Sequence, residues 1–352
     1  MDYRKTNKRK TSPASISAVL LILLITALTA GTACGAAEEE RVAKLVEGAR
    51  AEGKLVVYTT QPVTDATRIA KKFEEKYPFV KVELFRAATA TVLNKLLAEA
   101  RAKKHTSDIV YIAGFQASVI KKEGLYAPYL SPESRAYQPE YKDPEGYWTA
   151  SFINPYLMGY NTKMLTRKDI PETFEGFLHP RWKGKKIGFD TDQVEWFANM
   201  LKVMGEEKGM DFFRKLVAQR LDYRLGHTLI TTLVTAGEFP VGTVYLRAVE
   251  EKKKGGAAID WVGVAPVIAK EMTIGLTTHA PHPNTGKLFV DFVLSREGQM
   301  INVSLHQVPA RQDIDADILK KFKGIKFYPS DVSLAEKYAA YSKQWSELLK
   351  LP

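Results

Sequence analysis

EGKLVVYTT, residues 52–60, sets Leu55-Val56-Val57-Tyr58 between Gly53 and a polar turn running from Thr59 to Thr64. A continuous apolar run of this length, bounded by turn residues, reads as a strand buried on both faces. Upstream, Val42, Leu45, Val46 and Ala49 fall at i, i+3, i+4 and i+7, one face of a helix that Gly53 ends. Downstream, Ile69, Phe73 and Tyr77 line a helix that stops at Pro78, and VKVELF (80–85) alternates as a second strand. Leu93, Leu96, Leu97 and Ala100 mark the next helix, with Thr89 or Thr91 as its N-cap, and Asp108 to Ile112 is a third strand. Strand, helix, strand, helix predicts a mostly parallel sheet with helices on both faces.

The same alternation returns further along. Strands are predicted over 186–189, 221–224, 241–245 and 259–264. Helices are marked by Trp196, Met200, Val203 and Met204, by Phe212, Phe213, Leu216 and Val217, and over Thr228 to Ala236. A further helix carries Leu288, Phe289, Phe292 and Val293 and starts at Asn284 or Thr285; residues 127–150, rich in Pro, Tyr and Ser, read as loop. No Gly/Ser linker divides the chain, so its 352 residues are expected to form two α/β lobes rather than two separate beads.

Composition narrows the function classes. With 45% hydrophobic and 26% charged residues the chain is an ordinary globular protein, and its single cysteine, Cys34, excludes a disulfide framework or a multi-cysteine metal site. The net charge of +11 admits nucleic acid, membrane surfaces or anionic ligands, but the basic residues are not interleaved with aromatics, which argues against nucleic acid. No nucleophile elbow, Walker-A loop, H-E-x-x-H or dinucleotide fingerprint occurs, so neither an enzyme nor a cofactor is expected. Asp313, Asp315 and Asp317 imitate the start of a calcium loop, but Ile318 and Gly324 replace its turn glycine and bidentate glutamate, leaving a solvated acidic turn. His279 and His282 belong to a non-helical turn, and Lys252-Lys253-Lys254 reads as an exposed helix end.

The amino-terminal residues explain both oddities. Arg4, Lys5, Lys8, Arg9 and Lys10 face one acid, Asp2, and the uncharged stretch from Thr11 to Ala37 centres on Val19 to Ile25. A basic start, a short apolar centre and small residues are the layout of an export signal over 1–33, with an uncleaved anchor as the alternative. Gly31-Thr32-Ala33-Cys34 resembles a bacterial lipoprotein box, which implies lipidation at Cys34, although Gly31 stands where a leucine-like residue is usual. Ordinary cleavage after Ala33 or Ala36 stays open. Loss of residues 1–33 removes five bases and one acid, and +11 becomes +7.

Four stretches carry a resemblance over nearly all of the mature chain: EGKLVVYTT (52–60), HPRWKGKKIGFD (179–190), AGEFPVGTVY (236–245) and APHPNTGKLFVDFVLSREGQ (280–299). They resemble the extracytoplasmic solute-binding proteins of ABC importers, in the branch that includes ferric-ion and small-anion binders. The resemblance implies a type 2 periplasmic-binding fold, one lobe from 39–152 plus 268–308 and the other from 153–267 plus 309–352. It places crossings near Phe152-Ile153-Asn154 and Val264-Ala265-Pro266, and it implies a monomer outside the cytoplasm whose partners are a permease and an ATPase. A sensory partner is the rival within the same fold.

Ligands of open α/β sheets gather beyond the carboxyl ends of strands, where helix starts offer free N–H groups. That rule selects Tyr58, Thr59, Thr60 and Gln61; Thr89 and Thr91; Gly114 and Phe115; Asp190, Thr191 and Gln193; His227 and Thr228; and Tyr245 with Arg247. Hydroxyl-bearing helix starts and Arg247 suit a small oxyanion such as a phosphonate or carboxylate. Ferric iron is the rival, with Tyr58, Tyr245, His227 and Asp190 as its donors. Ferric-binding relatives present two consecutive tyrosines after the strand that here ends at Tyr245, whereas Leu246 and Arg247 follow it in this chain.

Overall fold

The computed structural model describes residues 36–350, so the leader and the expectation for Cys34 lie outside the described residues. Helix α1 (36–52) leads into β1 (Lys54–Thr59), α2 (Val63–Lys76), β2 (Lys81–Arg86), α3 (Thr89–Arg101), β3 (Ile109–Ala113) and α4 (Gly114–Lys122). Strand β1 pairs in parallel with both β2 and β3. Its apolar run is buried on both faces: Leu55 and Val57 enter one hydrophobic cluster, Val56 and Tyr58 another.

The short strand β4 (Tyr126–Ala127) and two 3-10 turns occupy much of the stretch read as loop. Then follow β5 (Thr149–Pro155), β6 (Leu157–Asn161), β7 (Ile187–Asp190), α5 (Val194–Met204), α6 (Glu206–Val217), β8 (Asp222–Arg224) and α7 (His227–Ala236). Next come β9 (Val241–Val244), α8 (Leu246–Lys254), β10 (Ile259–Val262), β11 (Val267–Thr277), α9 (Pro283–Leu294) and α10 (Arg296–Ser304). The chain closes with β12 (Val308–Pro309), α11 (Asp317–Lys320), β13 (Phe327–Pro329) and α12 (Tyr338–Leu349).

Two sheets result. One runs β12-β5-β11-β3-β1-β2 with β4 and β13 attached to β11, and the other runs β10-β6-β9-β7-β8. The chain passes between them at Tyr156 and again through 263–266. Strand β11 is antiparallel to β3 and β5, and β6 to β9 and β10, so both sheets are mixed rather than mostly parallel. The carboxyl-terminal part touches both: β13 pairs with β11, while α12 inserts Trp345 among Phe189, Phe197 and Phe213 of the second sheet's side.

Two local expectations are corrected and a third holds. The N-cap of α3 is Ala88, with neither Thr89 nor Thr91 capping it, so those N–H groups are left to the cleft. Helix α9 starts from His282, and Asn284 and Thr285 donate through backbone and side chain to the Glu52 carboxylate at 2.7–3.0 Å. The 313–317 turn carries its acids on the surface, as read: Asp313, Asp315 and Asp317 are exposed, Asp313 pairs with Arg311 at 2.5 Å, and Ile314 and Ala316 between them join the core.

Candidate functional site

Six helices, α2, α3, α4, α5, α7 and α8, bring their first turns to one cleft between the sheets. Their N-cap residues, Pro62, Ala88, Ala113, Gln193, Gly226 and Tyr245, make no side-chain cap hydrogen bond. Ser131, Ser295 and Asp331 do cap helices elsewhere. Uncapped N–H groups and the positive ends of several helix dipoles therefore converge, which favours an anion.

The cleft holds two cavities that meet at Thr89 and Lys270. The larger, about 300 Å³, is lined by Thr60, Gln61, Thr89, His227, Thr228, Tyr245 and Arg247 of the predicted set. It adds Arg86, Asn154, Lys270 and Gln307, which sequence reasoning missed. The smaller, about 230 Å³, is lined by Thr89, Phe115, Tyr156, Asp192, Glu195 and Lys270 among others.

Several predicted residues shape the cleft without lining it. The buried Thr59 hydroxyl accepts from the Gln61 N–H at 3.1 Å, fixing the turn after β1. Gly114 lets the Glu271 carboxyl approach; a Cβ there would lie 2.0 Å from Glu271 Oε1. Asp190 is buried and accepts from the backbone N–H groups of Asp192 and Gly226, both at 3.0 Å. It thereby holds the start of α7. Gln193 donates to the Thr243 hydroxyl, and the Thr191 carbonyl accepts from Trp345 Nε1.

Other assignments are corrected. Thr91 is exposed and lines neither cavity. The Tyr58 side chain turns to the other face of β1, where its hydroxyl donates to Glu99 at 2.9 Å, so it is a core tyrosine. That splits the iron set of Tyr58, Tyr245, His227 and Asp190. Among the described residues, no group of three or more His, Cys, Asp and Glu is placed to hold a metal ion.

Arg247 lines the cleft, but its guanidinium is occupied. Nε lies 2.7 Å from Asp65 Oδ2 and Nη2 2.8 Å from Asp65 Oδ1, joining α8 of the second sheet to α2 of the first. Asp65 is fully buried and also accepts from Gln307 Nε2 at 3.1 Å. The cation left to a ligand is Lys270, whose ammonium is 3.5 Å from Glu195 Oε2. Burial opposes its charge, the Glu195 and Asp192 carboxylates favour it, and the ammonium stays above the usual lysine range. Arg86 Nε donates to the Gln61 carbonyl and leaves the rest of its guanidinium at the rim.

Tyr245 stacks on His227 at 3.9 Å between ring centroids and lies 5.5 Å from Tyr156. Burial pushes both phenols up, so both are neutral donors near pH 7. His227 Nδ1 faces the Thr243 carbonyl at 3.2 Å and therefore carries a proton, while Nε2 lies 3.3 Å from Asp190. Burial lowers the imidazole's pKa, with Asp190 working against that. Gln61 Nε2, Gln193 Oε1 and Gln307 Oε1 are buried without a hydrogen-bond partner among the described residues. Groups of this kind are expensive unless something completes them.

Glu271 is a separate case. It is fully buried, neither carboxyl oxygen has a hydrogen-bond partner among the described residues, and burial, aided by Glu195, pushes its pKa well above the usual carboxylate value. The folded protein thus keeps the proton that the unfolded chain releases above about pH 4. Stability held below that pH is lost as the pH rises towards the folded value. Glu271→Gln is expected to gain on the wild type by about 1–3 kcal/mol between pH 4 and pH 8. Urea unfolding across that range checks it; parallel stability curves would contradict it.

Residues 105–330 match the family described as bacterial extracellular solute-binding protein. The chain belongs to this family. The importer-type solute-binding protein expected from the sequence is therefore the kind found, and its task is solute capture outside the cytoplasm. An uncharacterized Haemophilus influenzae protein is 24% identical over 328 residues, covering 86% of this chain and 92% of that one. A putative 2-aminoethylphosphonate-binding periplasmic protein of Salmonella typhimurium is 26% identical over 168 residues, 44% of this chain and 49% of that one. The fold is that of iron-bound HitA from Pseudomonas aeruginosa (TM-score 0.74, 20% identity, 83% of this chain and 99% of that one). It is also that of AfuA from Actinobacillus pleuropneumoniae with fructose-6-phosphate bound (TM-score 0.73, 23% identity, 85% and 99%).

Proposed function

We propose that this solute-binding protein captures a small organic oxyanion, a phosphonate or phosphate monoester, and delivers it to an ABC permease and its ATPase. The observation that carries this reading is the Lys270 ammonium at the junction of two cavities ringed by uncapped helix starts. Thr60, Thr89 and Thr228 supply hydroxyls, and Tyr245 supplies a neutral phenol donor. The phosphonate-binding name of one relative and the sugar phosphate bound in AfuA support the ligand class. Lobes of 39–152 plus 268–308 and 153–267 plus 309–352 would close on it about the crossings near 152–154 and 264–266. The working state is a monomer, tethered through a lipid on Cys34. Incorporation of labelled fatty acid that is lost in Cys34→Ala checks the tether.

Thermal-shift titration of the mature protein tests the ligand class. Ligand at about 100 times its Kd stabilises by about 2.7 kcal/mol. Phosphonates or phosphate monoesters should raise the melting temperature and ferric citrate should not. Iron remains the second reading because Tyr156, Tyr245 and His227 converge, although the Lys270 ammonium beside them repels a trivalent cation. A visible phenolate-to-iron absorption band would favour iron.

A further inference from the structure

We infer that residues 327–338 are a third strap of the hinge and limit how far the cleft opens, an inference that rests on the lobe closure proposed above. The crossings at Tyr156 and 263–266 are both bonded to the start of β11. Ala269 pairs with Pro155, and the Tyr156 N–H donates to the Ile268 carbonyl at 2.9 Å. Strand β13 takes the other edge of the same stretch. Phe327 to Pro329 lie parallel to Val267 to Ala269, and the Ser330 N–H donates to the Ala269 carbonyl at 3.0 Å. Three chain segments therefore run side by side at the passage from one sheet to the other.

The third segment is fastened to both lobes. Before it, Phe322 stacks on Trp261 of β10, in the second sheet, at 4.8 Å between ring centroids. After it, Val332 packs on the cluster of Val56 and Ile112 in the first sheet, and a Cβ on Gly114 of α4 would lie 2.8 Å from Val332 Cγ1. Ala335 joins Phe115 of α4 and Ala198 of α5, and Trp345 then brings α12 back to the second sheet's side. Polar contacts tie the strap to α5. The Ser330 hydroxyl donates to Glu195 at 2.8 Å and accepts from Asn199 Nδ2 at 3.0 Å, and the Asp331 N–H donates to Asn199 Oδ1 at 2.8 Å. Lys202 pairs with Asp331. Ser330, Asn199 and Glu195 are buried, so sliding the strap along α5 leaves hydrogen-bonding groups unmatched, which is costly. Glu195 also lies 3.5 Å from Lys270, so the strap and the ligand's cation are held by one carboxylate.

Strand order places the moving edge. The crossings enter β5, β11, β6 and β10, whereas β2 and β8 end their sheets, each three spacings from β11 or β6. Three spacings are about 14 Å, so a rotation of about 15° at the hinge moves these edges by about 4 Å. Spin labels on Thr91→Cys and Leu225→Cys, exposed positions just after β2 and β8, report that gap in protein whose one native cysteine is removed by Cys34→Ala. In the ligand-free protein, Asn199→Ala/Ser330→Ala is expected to lengthen the distance by about 4 Å, while labels on Leu225→Cys and Lys208→Cys, within one lobe, keep theirs. Ser330→Ala alone should give a smaller shift of the same sign, which keeps the test if the double variant does not fold. If Asp65→Ala lengthens the Thr91–Leu225 distance and the strap variants do not, the strap falls and lobe closure stands. A shift within the lobe equal to that across the cleft also overturns the strap, since the segment then only shapes its own lobe. If no variant moves the distance, the lobe closure falls and the strap with it.

Discussion

Lys270→Met is expected to weaken phosphonate or phosphate binding about 30-fold to 3,000-fold while the protein stays folded. The range follows from truncating one partner of a desolvated charge pair, about 2–5 kcal/mol. Several observations put this residue at the top of the scale. It is the one side chain that can carry charge in both cavities, since Thr89, their other common residue, is neutral. Arg247, the cation sequence reasoning favoured, is already held by Asp65. Helix starts contribute only partial charges that fade within a turn, so they do not replace an ammonium. Methionine keeps the apolar stem, which limits the packing loss. Glu195 loses its cation but keeps the Ser330 hydroxyl. Calorimetry of both proteins decides the matter, and an affinity within about threefold of the wild type would remove Lys270 from the site.

The contrast between Lys270 and Arg247 shows what the sequence conveyed and what it did not. Fully buried strands with flanking turns, such as Leu55 to Tyr58, announce themselves by an unbroken apolar run. The rule that ligands gather beyond strand ends then leads directly to Thr60, Gln61, His227 and Tyr245 at the larger cavity. Applied to β2, the same rule would also have reached Arg86. Strand β11 gave no such signal. Within its eleven residues stand the half-buried Lys270 and the buried Glu271, Thr273 and Thr277, placed there by pairing rather than apolar character. Its neighbours β3 and β5 are distant in the chain, so nothing local marks its register. Tyr156 was hidden similarly, as a single residue between two sheets. Tyr58 failed for the opposite reason. Side chains alternate along a strand, and proximity to its carboxyl end did not say that Tyr58 faces Glu99 rather than the cleft. Partners across the cleft, Asp65 for Arg247 above all, belong to tertiary structure and have no trace in spacing.

That pair leads to the second large effect. Asp65→Ala is expected to destabilise the protein by about 2–4 kcal/mol, somewhat below the cost of breaking a wholly buried pair because Arg247 is partly exposed. The carboxylate is fully buried and engages two guanidinium nitrogens and Gln307, so its removal leaves both partners unmatched. The loss is not confined to stability. Asp65 lies on α2 and Arg247 on α8, on opposite sides of the cleft, so the pair favours the arrangement in which the cavities are formed. Without it, closure must be driven by ligand contacts alone. Affinity falls by whatever the pair contributed to the closed population. The variant should therefore unfold at lower temperature, bind more weakly and show a larger radius of gyration by solution scattering. Ligand should reduce that radius more than in the wild type. The double variant Asp65→Ala/Arg247→Met separates the two contributions. It removes the uncompensated guanidinium and should regain much of the stability, yet it has no bridge and should keep the larger radius. If the radius instead returns to the wild-type value, the pair serves packing alone and closure is governed elsewhere.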